Sequence, residues 1–404
     1  MLKEVLFVLA NYFPVGGAGA NIVSRLAGEL YKNGMDVSVL TTKSEIGQPD
    51  FSEEQGIKVY RKSFYANFSF RQTKSLYLKS KIFISKAKNK ISRSQKKNFI
   101  SKPLRNCFYR ALKEINAKQY DVIIPVCAYY EMYEAVKKYK DKYKISSSVI
   151  VYQLDPLSTN GNMSPKSYPA RFKFENTIAG ENAVITTAIL KSQKEQQGIN
   201  TGNVTVADFP SILDKTQNNI KNVQDQEIRA VFSGFLYEKI RNPEYALKLF
   251  SSLPSNIKLY IIGSGSESLV SRYANDYPDK IESIGILPID EAQKWIDEAD
   301  VLMNIGNSDI NFVPSKIFDY ISTGKPIINI YKDKDCPTLK YFSKYDNVVS
   351  IYEKDEITNS VEKTENFLQN NLGKVVPFEI IRQNFHENTL DCVTERFIEV
   401  INKE

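Results

Sequence analysis

Short apolar runs alternate with helical periodicities along the chain. Val- and Ile-rich runs stand at 4–10, 37–42, 58–60, 121–126, 148–154, 183–187 and 204–209. Between the first two, Ile22, Val23, Leu26 and Leu30 recur at helical spacing over 20–32. Strands that are apolar at successive positions are buried on both faces, and helices between them make βαβ units of a parallel sheet. The stretch 214–226, DKTQNNIKNVQDQ, has no apolar face and reads as a linker. The pattern then restarts, with runs at 229–235, 258–263, 280–284, 301–305, 326–331 and 348–352. Helical periods fit between them at 243–252, 266–276, 289–299 and 315–323, and a helical stretch at 388–403 closes the chain. The predicted fold class is α/β, with two Rossmann-like, doubly wound domains. The first spans 1–213 and the second 227–385, and a C-terminal helix at 386–404 returns to the first. Such domains would face each other across a cleft between their carboxyl edges, where open α/β sheets bind ligands.

Composition narrows the chemistry. With a single histidine, His386, the chain cannot build a multi-His zinc site. The four cysteines, Cys107, Cys127, Cys336 and Cys392, show no CxxC spacing and read as reduced thiols of a cytoplasmic protein. The apolar run at 5–10 is short and lacks a cleavage pattern, so it reads as a buried strand rather than a signal peptide. No apolar run approaches the ~20 residues of a membrane span.

Charge is unevenly placed. Residues 61–118 hold 17 Lys/Arg and one acid, Glu114, for a net of +16. Since the whole chain carries +7, the remainder carries −9. This segment reads as an insertion of one or two amphipathic helices, with Phe64, Tyr65, Phe68, Phe70, Tyr77, Leu78, Ile82, Phe83 and Ile84 among the lysines. It is either a solvated basic face or an anchor on an anionic membrane surface. No nucleic-acid-binding motif accompanies the charge, so no nucleic acid partner is expected.

Four motifs carry candidate chemistry. The loop 11–21, NYFPVGGAGAN, leaves the first strand for the first helix, and Gly16 and Gly17 would let the backbone approach an anion or simply form a tight turn. It is neither GxGxxG nor a P-loop. At 233–243, SGFLYEKIRNP, Gly234 ends a strand, and Lys239 and Arg241 follow on the loop, where both can reach phosphate oxygens. At 261–265, IIGSG, Gly263 ends the next strand, as an open ligand edge or an ordinary turn. The most specific motif is 311–328, NFVPSKIFDYISTGKPII. Pro314 and Ser315 open a helix with Lys316 in its first turn, where a cation is unfavourable unless an anion binds. Asp319 lies three residues on along the same face, placed for a ribose diol. Asp333 and Asp335 match the letters of a metal-binding DxD, but read as a loop after a strand, so no metal site is expected.

These segments resemble the GT-B glycosyltransferases, in particular the family-four-like bacterial enzymes that build capsule, O-antigen and other surface polysaccharides. The likeness covers nearly the whole chain: the glycine loop, SGFLYEKIRNPE, IESIGILPIDEAQKWIDEADV and VPSKIFDYISTGKPII. It implies that the second domain binds a nucleotide sugar. Arg241 and Lys316 would hold its diphosphate, Asp319 its ribose, and Ile286 and Leu287 its base. Gly17 would approach the sugar or phosphate from the first domain. Where many retaining members have two glutamates separated by seven residues, this chain has Asn311 and Asp319. The first-domain histidine of such members has no counterpart, and the comparable strand end carries Asp155. Asp155 is thus the candidate general base on an acceptor hydroxyl, or a sugar-binding or turn-capping group.

The expected activity is transfer of a sugar from a nucleotide-diphosphate donor, UDP-sugar favoured, to a saccharide acceptor, lipid-linked at the inner membrane face. The donor is a substrate, no cofactor is expected, and leaving-group charge would be met by Lys239, Arg241, Lys316 and the open N-terminus of the helix that carries Lys316, without a metal. The alternative is a catalytically silent scaffold on the same fold that binds a nucleotide or saccharide.

Overall fold

The computed structural model describes residues 3–12, 17–94, 99–160, 163–216, 227–310 and 312–404. The chain divides into two compact units. One comprises Met1–Pro210 with Leu390–Glu404, and the other Ser211–Thr389. Of the stretch read as a linker, 217–226 lies outside the described residues.

The first unit is built from β1 (Glu4–Val8), α1 (Ala18–Lys32), β2 (Asp36–Thr42), β3 (Phe51–Glu54), β4 (Ile57–Lys62), α2 (Leu76–Ser94), α3 (Lys102–Glu114), β5 (Val122–Cys127), α4 (Glu131–Tyr143), β6 (Ser148–Gln153), α5 (Tyr168–Glu181), β7 (Ala183–Thr186), α6 (Ala188–Gln196) and β8 (Val204–Val206). Its strands run in the order β3-β4-β2-β1-β5-β6-β7-β8. All pairings are parallel except β3 with β4. The central strands β1 and β5 are buried on both faces, as their unbroken apolar sequences require.

Two features depart from the sequence reading. The strand β3 was not expected, because FSEE is polar. It exists because Gln55 and Gly56 adopt φ values of 53° and 82°, the two-residue turn that matches strand twist. The buried Arg61 of β4 then fastens it, donating to Ser52 Oγ at 2.6 Å and pairing with Glu54. The basic segment 61–118 is not one separate insertion either. It begins inside β4, and α3 is a helix of the main core, with Leu104, Cys107, Phe108, Ala111 and Leu112 buried. These positions lie on one helix face, so the surrounding Arg and Lys residues point away from the core.

The second unit is built from β9 (Ile228–Phe235), α7 (Glu244–Ser252), β10 (Ile257–Ser264), α8 (Glu267–Asp276), β11 (Ile281–Gly285), α9 (Ile289–Glu298), β12 (Val301–Ile305), α10 (Lys316–Ile321), β13 (Ile327–Tyr331), α11 (Pro337–Phe342), β14 (Val348–Tyr352), α12 (Ile357–Asn371) and α13 (Phe378–Asn384). The sheet order is β11-β10-β9-β12-β13-β14, all parallel. A buried polar ladder pins three strands in register. Asn304 donates to Asn329 at 2.8 Å, and Asn329 to Ser350 Oγ at 3.1 Å. The last helix, α14 (Leu390–Lys403), belongs to the first unit, where it packs on α1 and its Phe397 meets Tyr152 edge to face. The exposed His386 sits in a 3-10 turn just before it.

In both sheets the connections reverse direction at one place: between β1 and β5, and between β9 and β12. Loops leave such a switch point in opposite directions and open a crevice at the carboxyl ends of the strands.

Candidate functional site

In the second unit three cations gather at the β9–β12 switch point. The strand β9 ends in Ser233, Gly234 and Phe235. Lys316, at the start of α10, donates from Nζ to Ser233 Oγ at 2.8 Å. The side chain of Arg241, on the loop after β9, donates from Nε to Asn307 Oδ1 at 3.1 Å, bridging to the loop after β12. Burial pushes the Lys316 ammonium down to about 8; Asp319 opposes that shift, while Arg241 and Lys215 add to it. Burial likewise holds the Arg241 guanidinium below its usual value. Two half-buried cations so close together repel one another, and a bound anion would relieve both the repulsion and the desolvation.

The end of α10 is held rigidly. The backbone N–H of Ser233 donates to the buried Tyr320 hydroxyl at 2.9 Å, and burial raises that phenol to about 12, so it stays neutral. The loop after β9 is folded on itself, with Arg241 N donating to Tyr237 O at 2.7 Å and Ser308 N to Ile240 O at 2.7 Å. A Cβ at Gly234 would lie in van der Waals contact with Arg241 Nη1, at 3.6 Å, and with the Phe232 ring. At Gly263 there is no such room: at φ 133° a Cβ would overlap the Gly234 carbonyl.

One expectation changes in kind. The start of α10 was read as an open helix N-terminus. The N–H groups of Ile317 and Phe318 already donate to the carbonyls of Pro314 and Ser315, both at 3.2 Å. Side-chain cations, rather than these amides, are what the site offers an anion. Lys239 contributes through its backbone, whose carbonyl accepts from Ser308 Oγ at 2.9 Å, and its side chain is exposed. Asn311 lies outside the described residues.

Asp319 is the carboxylate of the cluster, and Lys215 pairs with it at 3.1 Å. Sequence reasoning missed Lys215, which lies in the polar stretch taken as linker and reaches α10 only through the fold. Ile286, after the edge strand β11, is 72% exposed, and Leu287 beside it is half-buried. They offer an apolar surface at the same carboxyl edge as the cations. Asp333 and Asp335 lie after β13 in a local turn, where Asp335 N donates to Asp333 Oδ1 at 2.8 Å.

In the first unit Asp155 stands just past the carboxyl end of β6. Its position is fixed through its backbone carbonyl, which accepts from Tyr130 Oη at 3.1 Å and Gln153 Nε2 at 3.2 Å. Beneath it lies a buried pair that the sequence did not reveal. Glu175 and Lys194 approach to 2.5 Å, each 3% exposed. Burial pushes the Glu175 carboxyl up, but Lys194, Gln153 and Ser158 outweigh it and hold it below the usual range. Gln153 and Ser158 both donate to Glu175, at 2.6 Å each, which ties the strand end to α5. The Asp155 carboxylate is half-buried, and burial alone raises it to about 6. A carboxyl so placed can exchange a proton near neutrality. Gly17 precedes α1 in an extended conformation and is exposed, with nothing near where a Cβ would lie. Gly16 lies outside the described residues.

No protein-family model matches the chain, and no curated protein matches it. Solved structures do. The lipopolysaccharide outer core galactosyltransferase WaaB in its apo form is 14% identical with a TM-score of 0.60, and the match covers 100% of this chain and 99% of that one. Sucrose-phosphate synthase from Thermosynechococcus elongatus is 13% identical with a TM-score of 0.63, covering 99% and 98%. Anabaena HepE in complex with UDP and glucose is 11% identical with a TM-score of 0.66, covering 100% of both chains. The chain therefore has the GT-B fold of these glycosyltransferases, over its whole length.

Proposed function

We propose that the chain is a glycosyltransferase that moves a sugar from a nucleotide-diphosphate donor, a UDP-sugar in preference, to a saccharide acceptor. The observation that carries this reading is the convergence of Lys316 and Arg241 on the end of β9, with Lys215 paired to Asp319, the carboxylate that acts on Lys316, beside them. A diphosphate leaving group gains negative charge as its bond to the sugar breaks, and fixed cations in a half-buried site stabilise that charge without a metal. HepE, of the same fold, has been solved with UDP-glucose and with UDP. Asp319 takes the ribose hydroxyls, exchanging its contact with Lys215, and the apolar edge at Ile286 and Leu287 takes the base. Asp155 accepts the proton of the attacking acceptor hydroxyl.

The acceptor in this reading is lipid-linked, and the activity serves synthesis of a bacterial surface polysaccharide by a protein peripheral to the inner membrane face. WaaB and WaaG, the latter described as a glycosyltransferase of lipopolysaccharide biosynthesis, share the fold. The basic charge of 61–118 supports the membrane part.

A thermal-shift screen of UDP-, GDP-, dTDP- and CMP-sugars tests the donor assignment. A ligand at about 100 times its Kd stabilises the native state by roughly 2.7 kcal/mol, so a UDP-sugar should raise Tm clearly. Release of UDP should continue in EDTA. A screen in which no nucleotide sugar raises Tm would refute the donor site, stabilisation with no release of UDP would favour the silent scaffold, and activity that vanishes with chelator and returns with Mn²⁺ would refute metal independence.

A further inference from the structure

Within the basic segment the two helices treat their apolar residues oppositely. Those of α3 are in the core. Five of those of α2 face outward: Leu76, Tyr77, Phe83, Ile84 and Ile91 are all large, apolar and exposed, with Leu76 at 82% and Phe83 at 65%. Stepping about 100° per residue puts these five in a stripe roughly 120° wide. Lys81 and Lys88 fall along one border of that stripe, and Lys79, Lys86 and Lys90 along the other.

The opposite face holds α2 to the protein. Ile82 is fully buried, Asn89 meets Ser101, and Ser92 Oγ accepts from Lys102 N at 3.0 Å. The stripe is thus turned outward because the other side of the helix is fastened down. Between residues 76 and 92 there are five lysines and no acid.

We propose that α2 docks this protein on an anionic lipid surface, lying in the interface plane with Phe83, Ile84 and the rest of the stripe below the headgroups and the two rows of lysines among the phosphates. The proposal rests on the membrane-side part of the function given above and adds the element and the residues. An apolar stripe bordered on both sides by lysines matches a planar boundary between acyl chains and anionic headgroups. A second copy of the chain would bring the same lysines against these. A nucleic acid would take the lysines and leave the apolar side chains in water.

Flotation of the full chain with vesicles of phosphatidylglycerol and phosphatidylcholine, against vesicles of phosphatidylcholine alone, tests this. Binding should require the anionic lipid and weaken with salt. The double variant Phe83→Ser/Ile84→Ser, changed only at exposed positions, should bind at least tenfold more weakly. In Phe83→Trp, emission should shift to the blue on adding anionic vesicles, which charge attraction alone would not produce; the only native tryptophan, Trp295, lies in the other unit. Vesicle binding by the Ser/Ser variant equal to that of wild type, or an unshifted emission, would overturn the proposal. So would a concentration-dependent dimer that the Ser/Ser variant loses, since that would assign the stripe to a second copy. Stabilisation by UDP-sugar is measured on the same preparations. Vesicle binding that the Ser/Ser variant retains sinks the helix assignment alone, a wild type that binds no anionic vesicle sinks the membrane-side reading with it, and absence of stabilisation by UDP-sugar in wild type sinks the donor reading.

Discussion

Replacing Lys316 by methionine should have opposite effects on stability and on donor binding. The ammonium is 2.8 Å from Ser233 Oγ, and burial has lowered it from 10.5 to about 8. Such a depression means that holding the charged form in the native state costs about 3 kcal/mol at neutral pH. Methionine has a similar volume and no charge, so the unliganded variant should melt above wild type. The sign can be checked by titration. Between about 8 and 10.5 the unfolded chain binds this proton more tightly than the folded one, so wild-type stability should rise with pH across that window. The variant should lack that rise. Donor binding should move the other way. A charge-assisted bond to a diphosphate contributes about 1.5–3 kcal/mol, so affinity for UDP should fall roughly ten- to hundredfold. Wild-type affinity should also weaken as pH passes about 8, because only the protonated amine holds the anion, whereas the variant should be flat. Calorimetric titration with UDP at pH 7 and pH 9, beside melting curves, measures all of this. A folded variant that binds UDP within twofold of wild type would refute the assignment of Lys316.

Two further substitutions separate the roles in the site. Asp155→Asn keeps shape and donor binding but removes the base, so transfer should fall about 10²–10⁴-fold while stabilisation by UDP-sugar persists; since burial places the carboxyl at about 6 and the base form is the deprotonated one, the wild-type rate should rise as pH is raised through 6. Transfer within a few-fold of wild type would remove Asp155 from the mechanism. Wild type should prefer UDP over its 2′,3′-dideoxy analogue by about tenfold through Asp319, and Asp319→Ala should bind the two alike; a preference that survives the substitution would place the ribose elsewhere.

Sheet order and sites differ in how far sequence exposes them, for physical reasons. Strands such as β1 and β5 are buried on both faces, and their near-continuous apolar runs read as buried parallel strands. The polar β3 is held by a turn and by Arg61, so its cause lies outside its own four residues. In α3 the helical period was present but hidden by the density of Arg and Lys around it. Lys316 and Asp319 were legible because a single turn of helix puts them together. Lys215 is 104 residues from Asp319 along the chain, and Glu175 and Lys194 are 19 apart on different helices. Such pairs have no local spacing to betray them.

The place of each candidate site follows from strand order, and its chemistry from loops. At the β9–β12 switch point the connections leave to opposite sides, and the loops after β9 and β12 meet through Arg241–Asn307 and Ser308–Ile240. Arg241 comes from the loop after β9, whereas Asn307, which positions it, follows β12, as does Lys316 on α10. The candidate anion site therefore needs β9 and β12 side by side, as their pairing at Ala230–Val301 and Val231–Leu302 holds them, while the buried Asn304–Asn329–Ser350 ladder fastens β12 to β13 and β14. In the first unit the same rule places Gly17 after β1, beside the switch, and Asp155 after β6, on the same carboxyl edge. Substitutions within these strands should thus be felt first as lost stability. Substitutions at Arg241, Lys316 or Asp155 should be felt as lost chemistry on an intact fold, because the sheets beneath them do not depend on the charges they carry.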